Sequence, residues 1–402
     1  MARGGRAAGG APVRAAALRR SAGALAAEPV RPRPPAALRR SGGRVLPSPT
    51  AVGAPAVDRE PTRPGGNPVS QPRISVVLPS YCSDTRHGTS RLRLTLTGFG
   101  RQTLPHDEYE VVVVDNRSDP VLSEVIPTWD LGYTPRVVRR EEIGLGGGYN
   151  AGVAAARAPV VLLALDDEVP SPGLLESHLA VRSTPADLVI GRCRFMFHTR
   201  VFLDVTTAQQ APGAWEAARS SPELSWLHEA RSPLALDEKP VTAEDVRERF
   251  DVLLALSGHG GREFQDIERL VASGRCHEVS TGWLAMRLGN HSLSKELLDR
   301  VGGLDEGLDA HGGWYLDLEL GLRLIGAGAR FAAADEAVTI NLPHPRSAAN
   351  AIGTVSGLAY FYAKHRRMDV AMMPLHYQRG FRIAEYARLV KSGLRWWPEE
   401  PS

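Results

Sequence analysis

Cysteine is scarce: the 402-residue chain has three, Cys82, Cys193 and Cys276, widely spaced and odd in number. That argues against a disulfide framework or a zinc knuckle and fits a reducing compartment. No apolar run approaches the roughly 18 residues that span a bilayer; the longest, Val160 to Leu165, is of strand length. A strong charge of either sign is missing too, since the formal balance is only +3. Its distribution says more. Residues 1–73 hold thirteen Arg against three acids (Glu28, Asp58 and Glu60), about +10, which leaves about −7 on the other 329. The bulk of the chain is mildly acidic and lacks the Lys and Arg surface from which a nucleic-acid binder draws its affinity. No nucleic-acid partner is expected.

Residues 1–72 are built from Ala, Arg, Gly and Pro with few aromatics. They bury too little apolar surface to offset chain entropy and read as a disordered tail or a misassigned start. An Arg-rich, acid-poor leader is also the composition of a targeting segment, but it lacks the compact apolar stretch of a secretory signal. A cytoplasmic location is expected, with association at a membrane surface as the alternative. From Ile74 the pattern changes. "ISVVLPSY" reads as a buried strand ended by Pro79, "LRLTLTGFGRQTL" as a helix and "YEVVVVDNRSD" as a second buried strand with polar turn chemistry. "PRVVRREE" is a third strand, "GLGGGYNAGVAAARA" a Gly-rich turn entering a helix and "PVVLLALDDE" a fourth strand. Strands alternating with helices at this spacing predict a mostly parallel, Rossmann-like α/β sheet flanked by helices. Ligands of such sheets lie outside the carboxyl ends of the strands. Three of the four strands end there in "PSY", "DNRSD" and "DDE".

The acids need an explanation. Two carboxylates about 4 Å apart repel by roughly 4 kcal/mol at an effective dielectric near 20, so three in a row are splayed into water or face a cation. If the strand continues through them, Asp166 and Glu168 share a face and offer hard oxygens to Mg²⁺ or Mn²⁺. The glycines at 144, 146, 147 and 148 let backbone N–H groups approach an anion at a helix N-terminus, although a flexible loop without a ligand explains the same composition.

The ordered series "VVLPSY", "VVVVDNRSD", "GLGGGYNAG", "LALDDE", "GNHSLSKELLDRVGGLDEGLDAHGGWYLDLELGLRL" and "NLPH" resembles the family-2 glycosyltransferases of the GT-A fold, from about Ile74 to Pro345. "GLGGGYNAG" with "LDDE" is similar to the galactofuranosyl and rhamnosyl transferase subgroup, and the block "VGGLDEGLDAHGGWYLDLELGLR" to galactosyltransferases. The resemblance implies transfer of a sugar from a nucleotide diphosphate, with a UDP-sugar expected, to a glycan, lipid, peptide or small-molecule hydroxyl. It implies that Pro79, Tyr81 and Asp115 border the nucleoside and that Gly147, Asn150 and Asp167 join them on the donor. Asp166, Glu168 and His344 would ligate Mn²⁺ or Mg²⁺. Asp317 would be the base of an inverting reaction, with Asp309, Glu306 and Glu319 as alternatives. Leu316 stands where the family often has Glu, which puts acceptor binding in question. Trp283 and Trp314 are candidate sugar platforms, and Asn290 and His291 resemble a turn that contacts the donor.

The expected layout is a tail at 1–72, a nucleotide-sugar-binding half at 73–203, a helical insertion at 204–280, an acceptor and catalytic half at 281–346, and C-terminal helices at 347–402. The ambiguous run Leu316 to Leu324 is read as a helix because of the glycines that end it. The final basic helix carries Phe381, Ile383, Tyr386, Leu389 and Trp396 on one side, Arg388, Lys391 and Arg395 on the other. Packing on its own domain is favoured, with peripheral membrane contact as the alternative. A nucleotidyltransferase of sugar phosphates and an inactive sugar-nucleotide-binding relative are the rival functions.

Overall fold

The computed structural model of the chain describes residues 71–83, 88–184, 187–196, 203–204, 209–210, 241–259, 262–342 and 349–393. The expected tail lies almost wholly outside the described residues, as do His344, Arg395 and Trp396.

The four strands read from the sequence are present as β1 (Ile74–Ser80), β2 (Tyr109–Asn116), β3 (Arg136–Arg140) and β4 (Val160–Ala164). They lie parallel in the order β3-β2-β1-β4. Alternation covers both faces of the sheet. Val77, Val161 and Leu163 pack into one buried cluster, while Val76, Leu78, Val160 and Leu162 pack into another. Pro79 does not end β1, which runs on to Ser80. The ladder to β4 stops at Val77–Leu163, whereas that to β2 continues through Pro79–Val114. Pro79 thus stays in the β1–β2 ladder at a point where β4 no longer pairs with β1.

Helices α1 (Ser90–Phe99), α2 (Leu122–Val125) and α3 (Leu145–Ala155) connect these strands. Beyond β4 come β5 (Glu168–Pro170), α4 (Leu174–Val181) and β6 (Asp187–Phe195). The segment read as a helical insertion holds a small hairpin, β7 (Leu203–Asp204) with β8 (Gln209–Gln210), then α5 (Ala243–Glu248), α6 (Phe250–Leu256), β9 (Gly258–His259) and α7 (Arg262–Ala272). The chain returns through β10 (Asn290–Ser294), α8 (Lys295–Arg300), α9 (Leu316–Gly326) and β11 (Arg330–Asn341). Helices α10 (Ala349–His365), α11 (Met368–Ala371), α12 (Met373–Arg379) and α13 (Ile383–Gly393) come last.

The full sheet order is β3-β2-β1-β4-β10-β6-β11-β5, with β9 beside β6. Strand β10 runs antiparallel between β4 and β6, and β5 antiparallel to β11. This is the mixed α/β sheet that the GT-A resemblance implies. The sequence pattern does not announce β10, because its polar text "NHSLS" hides a wholly buried strand. Its polar side chains find partners inside: His178 bonds Asn290 Oδ1 at 2.7 Å and Ser292 Oγ at 3.0 Å. Helix α13 packs on its own domain as favoured, with Ile383, Tyr386 and Val390 buried and Arg388 and Lys391 exposed. Among the described residues no helix is long and apolar enough to cross a membrane.

Candidate active site

The strand ends place the acids, although not as the alternation rule expected. Strand β4 stops at Ala164, Asp166 and Asp167 form a turn, and Glu168 opens β5. Glu168 therefore does not share a strand face with Asp166. It is buried, accepts a bond from Thr339 Oγ1 at 2.8 Å and lies 3.7 Å from Cys193 Sγ. Gly289, at φ +120°, passes so close that a Cβ there would stand 2.6 Å from a Glu168 oxygen. Burial, and then Asp167, push the Glu168 carboxyl up to about 8 against the bonds from Thr339, Cys193 and Asn341. Asp166 is half-buried and receives the Ser80 hydroxyl at 2.6 Å.

Because the native pKa of Glu168 lies above the unfolded value, its stabilising contribution is complete below about pH 4.5 and is lost as pH rises through about 8. Glu168→Gln should flatten the pH dependence of the melting temperature across that window. Thermal melts of both proteins at stepped pH check this; an unchanged slope counts against a protonated Glu168.

Two of the residues expected at the donor are held by the chain itself. Asp115 is fully buried, accepting from Ser118 N at 2.7 Å, Leu122 N at 3.1 Å and Arg139 at 2.8 Å. Asn150 bonds Leu304 N, Leu304 O and Glu306 at 2.8–2.9 Å. The Gly-rich turn, expected at phosphate, already holds an anion: the N–H groups of Gly146 and Gly147 donate to Asp309 at 2.7 and 2.9 Å. Pro79 lies buried against Gly148, and Tyr81 is half-buried just beyond β1.

The same contacts sort the candidate bases. Asp309 caps α3 and Glu306 accepts from Asn150. Glu319 is fully buried among Arg323, Lys364 and His365. Asp317 remains, half-buried in the first turn of α9, with Oδ1 accepting from Leu318 N at 2.9 Å. Burial raises its carboxyl above the usual range, opposed by Arg287 and by backbone N–H groups. Tyr315, which precedes this helix, has φ +68°. A left-handed non-glycine residue costs about 1–2 kcal/mol, and such strain gathers where a helix start must be aimed. Leu316 is packed in the core.

Tyr149 is buried beside the acidic turn. Its hydroxyl donates to Ala164 O at 2.7 Å, at the very end of β4. Burial, and then Glu168, Asp166, Asp167 and Asp317, push its phenol well up. Of the two tryptophans, Trp283 is no platform: it is 1% exposed, donates Nε1–H to Asp369 at 3.0 Å and stacks edge-on against Phe361. A sugar cannot reach it. Trp314 is half-buried beside Tyr315 and Gly353 of α10. Asn290 and His291 are buried in the sheet.

Among the described residues no three His, Cys, Asp or Glu side chains converge as a metal site. Asp166 has the chemistry and exposure for a hard cation, whereas Glu168 is buried and held by Thr339. The described residues fit a divalent ion through Asp166 alone. Leu342, two residues before His344, donates its N–H to Asp167 O at 2.7 Å.

Sheet and site together define an α/β protein with an acidic turn at the carboxyl edge of its sheet. Residues 75–213 match the family model described as glycosyl transferase family 2. It is 27% identical over 299 residues to a validoxylamine A glucosyltransferase of Streptomyces hygroscopicus subsp. limoneus, covering 73% of this chain and 57% of that one. An uncharacterized glycosyltransferase, YfnE of Bacillus subtilis, is 22% identical over 74% of this chain and 72% of its own. The chain thus spans little more than half the length of the validoxylamine relative. Among solved structures, the mannosyltransferase PcManGT from Pyrobaculum calidifontis, in complex with GDP-Man and Mn²⁺, aligns at 16% identity with a TM-score of 0.44, covering 84% of this chain and 79% of that one. S. aureus TarS 1-349 in complex with UDP-GlcNAc aligns at 13% identity and 0.38, covering 73% and 66%.

Proposed function

We propose that the protein transfers a sugar from a nucleotide diphosphate to an acceptor hydroxyl, with inversion, and that Asp317 is the base. The observation that carries this reading is that the acidic turn Asp166–Glu168, at the end of β4, and Asp317, in the first turn of α9, both act electrostatically on the buried Tyr149. Inverting transfer needs a carboxylate to take the acceptor proton on the side opposite the departing diphosphate. Asp317 has the raised basicity for that task and, among the described residues, no salt-bridge partner of the kind that engages Glu319. Glucose is the first sugar to test, because the validoxylamine relatives are glucosyltransferases by name.

A divalent ion, Mn²⁺ or Mg²⁺, would be held by Asp166 and His344 and would offset diphosphate charge. Residues of the chain do the rest. Ser80 fixes the Asp166 carboxylate, Arg139 and the turn after β2 fix Asp115, and Tyr149 holds the β4 end in place.

Incubation with UDP-glucose, UDP-GlcNAc and GDP-mannose, with Mn²⁺ or with EDTA, tests the reading. Nucleoside diphosphate release above background from one donor is expected. Pyrophosphate release would point to a nucleotidyltransferase, and calorimetric binding without turnover to an inactive relative.

A further inference from the structure

Strand β1 is tied differently to its two neighbours. Its ladder to β2 runs to Ser80–Asp115, whereas its ladder to β4 stops at Val77–Leu163, so backbone pairing joins β1 to Asp115 but not to Asp166. Side chains take over there. Ser80 gives its hydroxyl proton to Asp166 Oδ2 at 2.6 Å, and Cys82 Sγ lies 3.3 Å from the same hydroxyl oxygen. With that one proton spent on a carboxylate, Ser80 Oγ accepts from its other neighbour, so the Cys82 thiol is the donor. Burial, and then Asp166, push this thiol up to about 12, which keeps its proton in place.

The backbone of Cys82 serves the other side. Its N–H donates to Ser118 Oγ at 3.0 Å, and its carbonyl accepts from Asp119 N at 3.0 Å. Ser118 N in turn donates to Asp115 Oδ1 at 2.7 Å. Asp115, Ser118, Cys82 and Ser80 are each at most 4% exposed. One buried chain of bonds therefore runs from the end of β2, through the end of β1, to the acidic turn after β4.

We propose that Cys82 is a positioning residue: through Ser80 and Ser118 it fixes where Asp166 stands relative to Asp115. The proposal rests on the functional reading, which sets these two acids at the diphosphate and nucleoside ends of the donor. In a buried network whose members are all satisfied, each bond holds its neighbours in direction as well as in place. Tyr81, expected at the nucleoside, lies between two residues anchored in this way. Asp166 has a second tie, from Thr95 Oγ1 of α1 to its carbonyl at 3.1 Å. That bond holds the backbone of the turn, whereas Ser80 is bonded to the carboxylate itself. A divalent ion on Asp166 and a nucleoside beside Asp115 then meet one prealigned frame, so each should tighten the other, and less so without the thiol donor.

The test is calorimetric. Kd for UDP and for GDP is measured with Mn²⁺ and with EDTA, on the wild-type protein and on Cys82→Ala, Cys82→Ser and Ser80→Ala. The readout is the factor by which Mn²⁺ tightens the nucleotide. Cys82→Ala should cut that factor about fivefold, the worth of one neutral hydrogen bond, and Cys82→Ser, which keeps a donor, should restore most of it. Ser80→Ala breaks the same chain at its charge-assisted bond and should cut the factor further. Thermal melts without nucleotide check that each variant is folded. A Cys82→Ala protein with a lower melting temperature and an unchanged Mn²⁺ factor overturns the proposal, as does a factor that falls equally in Cys82→Ser. A wild-type protein that binds nucleotide but ignores Mn²⁺ overturns it while leaving sugar transfer standing. Binding of neither nucleotide overturns the functional reading and this inference with it.

Discussion

Asp317→Asn is expected to lower sugar transfer by about 10²- to 10⁴-fold while leaving donor binding intact, the range a positioned general base contributes. Asparagine keeps the shape and an oxygen for the Leu318 N–H, so α9 retains its start. The amide cannot accept the acceptor proton. Turnover and calorimetric binding of the nucleotide sugar, measured on the same preparation, separate the two effects. Full activity in the variant would move the base elsewhere. Few substitutes remain, because Asp309, Glu306 and Glu319 are bound by other parts of the chain.

Glu319→Ala is expected to destabilise the protein by about 3 kcal/mol, the lower end of what breaking a buried ion pair costs. Glu319 is fully buried and accepts from Arg323 Nε at 2.9 Å, Lys364 Nζ at 2.8 Å and His365 Nε2 at 2.9 Å. Arg323 also donates to Gly303 O at 2.7 Å, and Lys364 to Asp305 at 2.8 Å. One carboxylate thus ties α9, α10 and the 303–305 loop together. Alanine leaves two fixed cations facing each other. The lower end applies because Lys364 is 37% exposed and screened by water. A urea midpoint shift at constant slope checks the figure. Burial opposes the charge of Glu319, but Arg323, Lys364 and His365 hold its carboxyl below the usual range. That stabilisation is present above about pH 4.5 and is lost as pH falls through the native pKa, so the variant should also lose part of its acid sensitivity.

The parallel half of the sheet was legible because each strand carries its own signal: "VVVV" in β2 and "VVLLA" in β4 are apolar on both faces. Strands β6 and β11 are interrupted by Arg, Asp and Glu, and their pairing is set by tertiary contacts that no local window contains. The acidic turn was legible as a site. Its geometry was not, since the two-residue period holds only inside a strand and β4 ends before Asp166. Gly147 and Asn150 read as donor ligands because nothing near them shows that residues 304–309 will claim their polar groups. Trp283 shows the limit of residue type: only burial distinguishes a platform from a core side chain.

Strand β4 has β1 on one side and β10 on the other, and the N-terminus of α3 is closed by a residue 163 positions downstream. A truncated fragment lacking residues beyond 289 would expose the free edge of β4 and two helix amides with no acceptor. The parallel half of the sheet is therefore not separable from the C-terminal strands and loops that complete it. During synthesis it must wait for its closing strand, so slow, long-range assembly comes built into a chain whose segments read as local and self-sufficient.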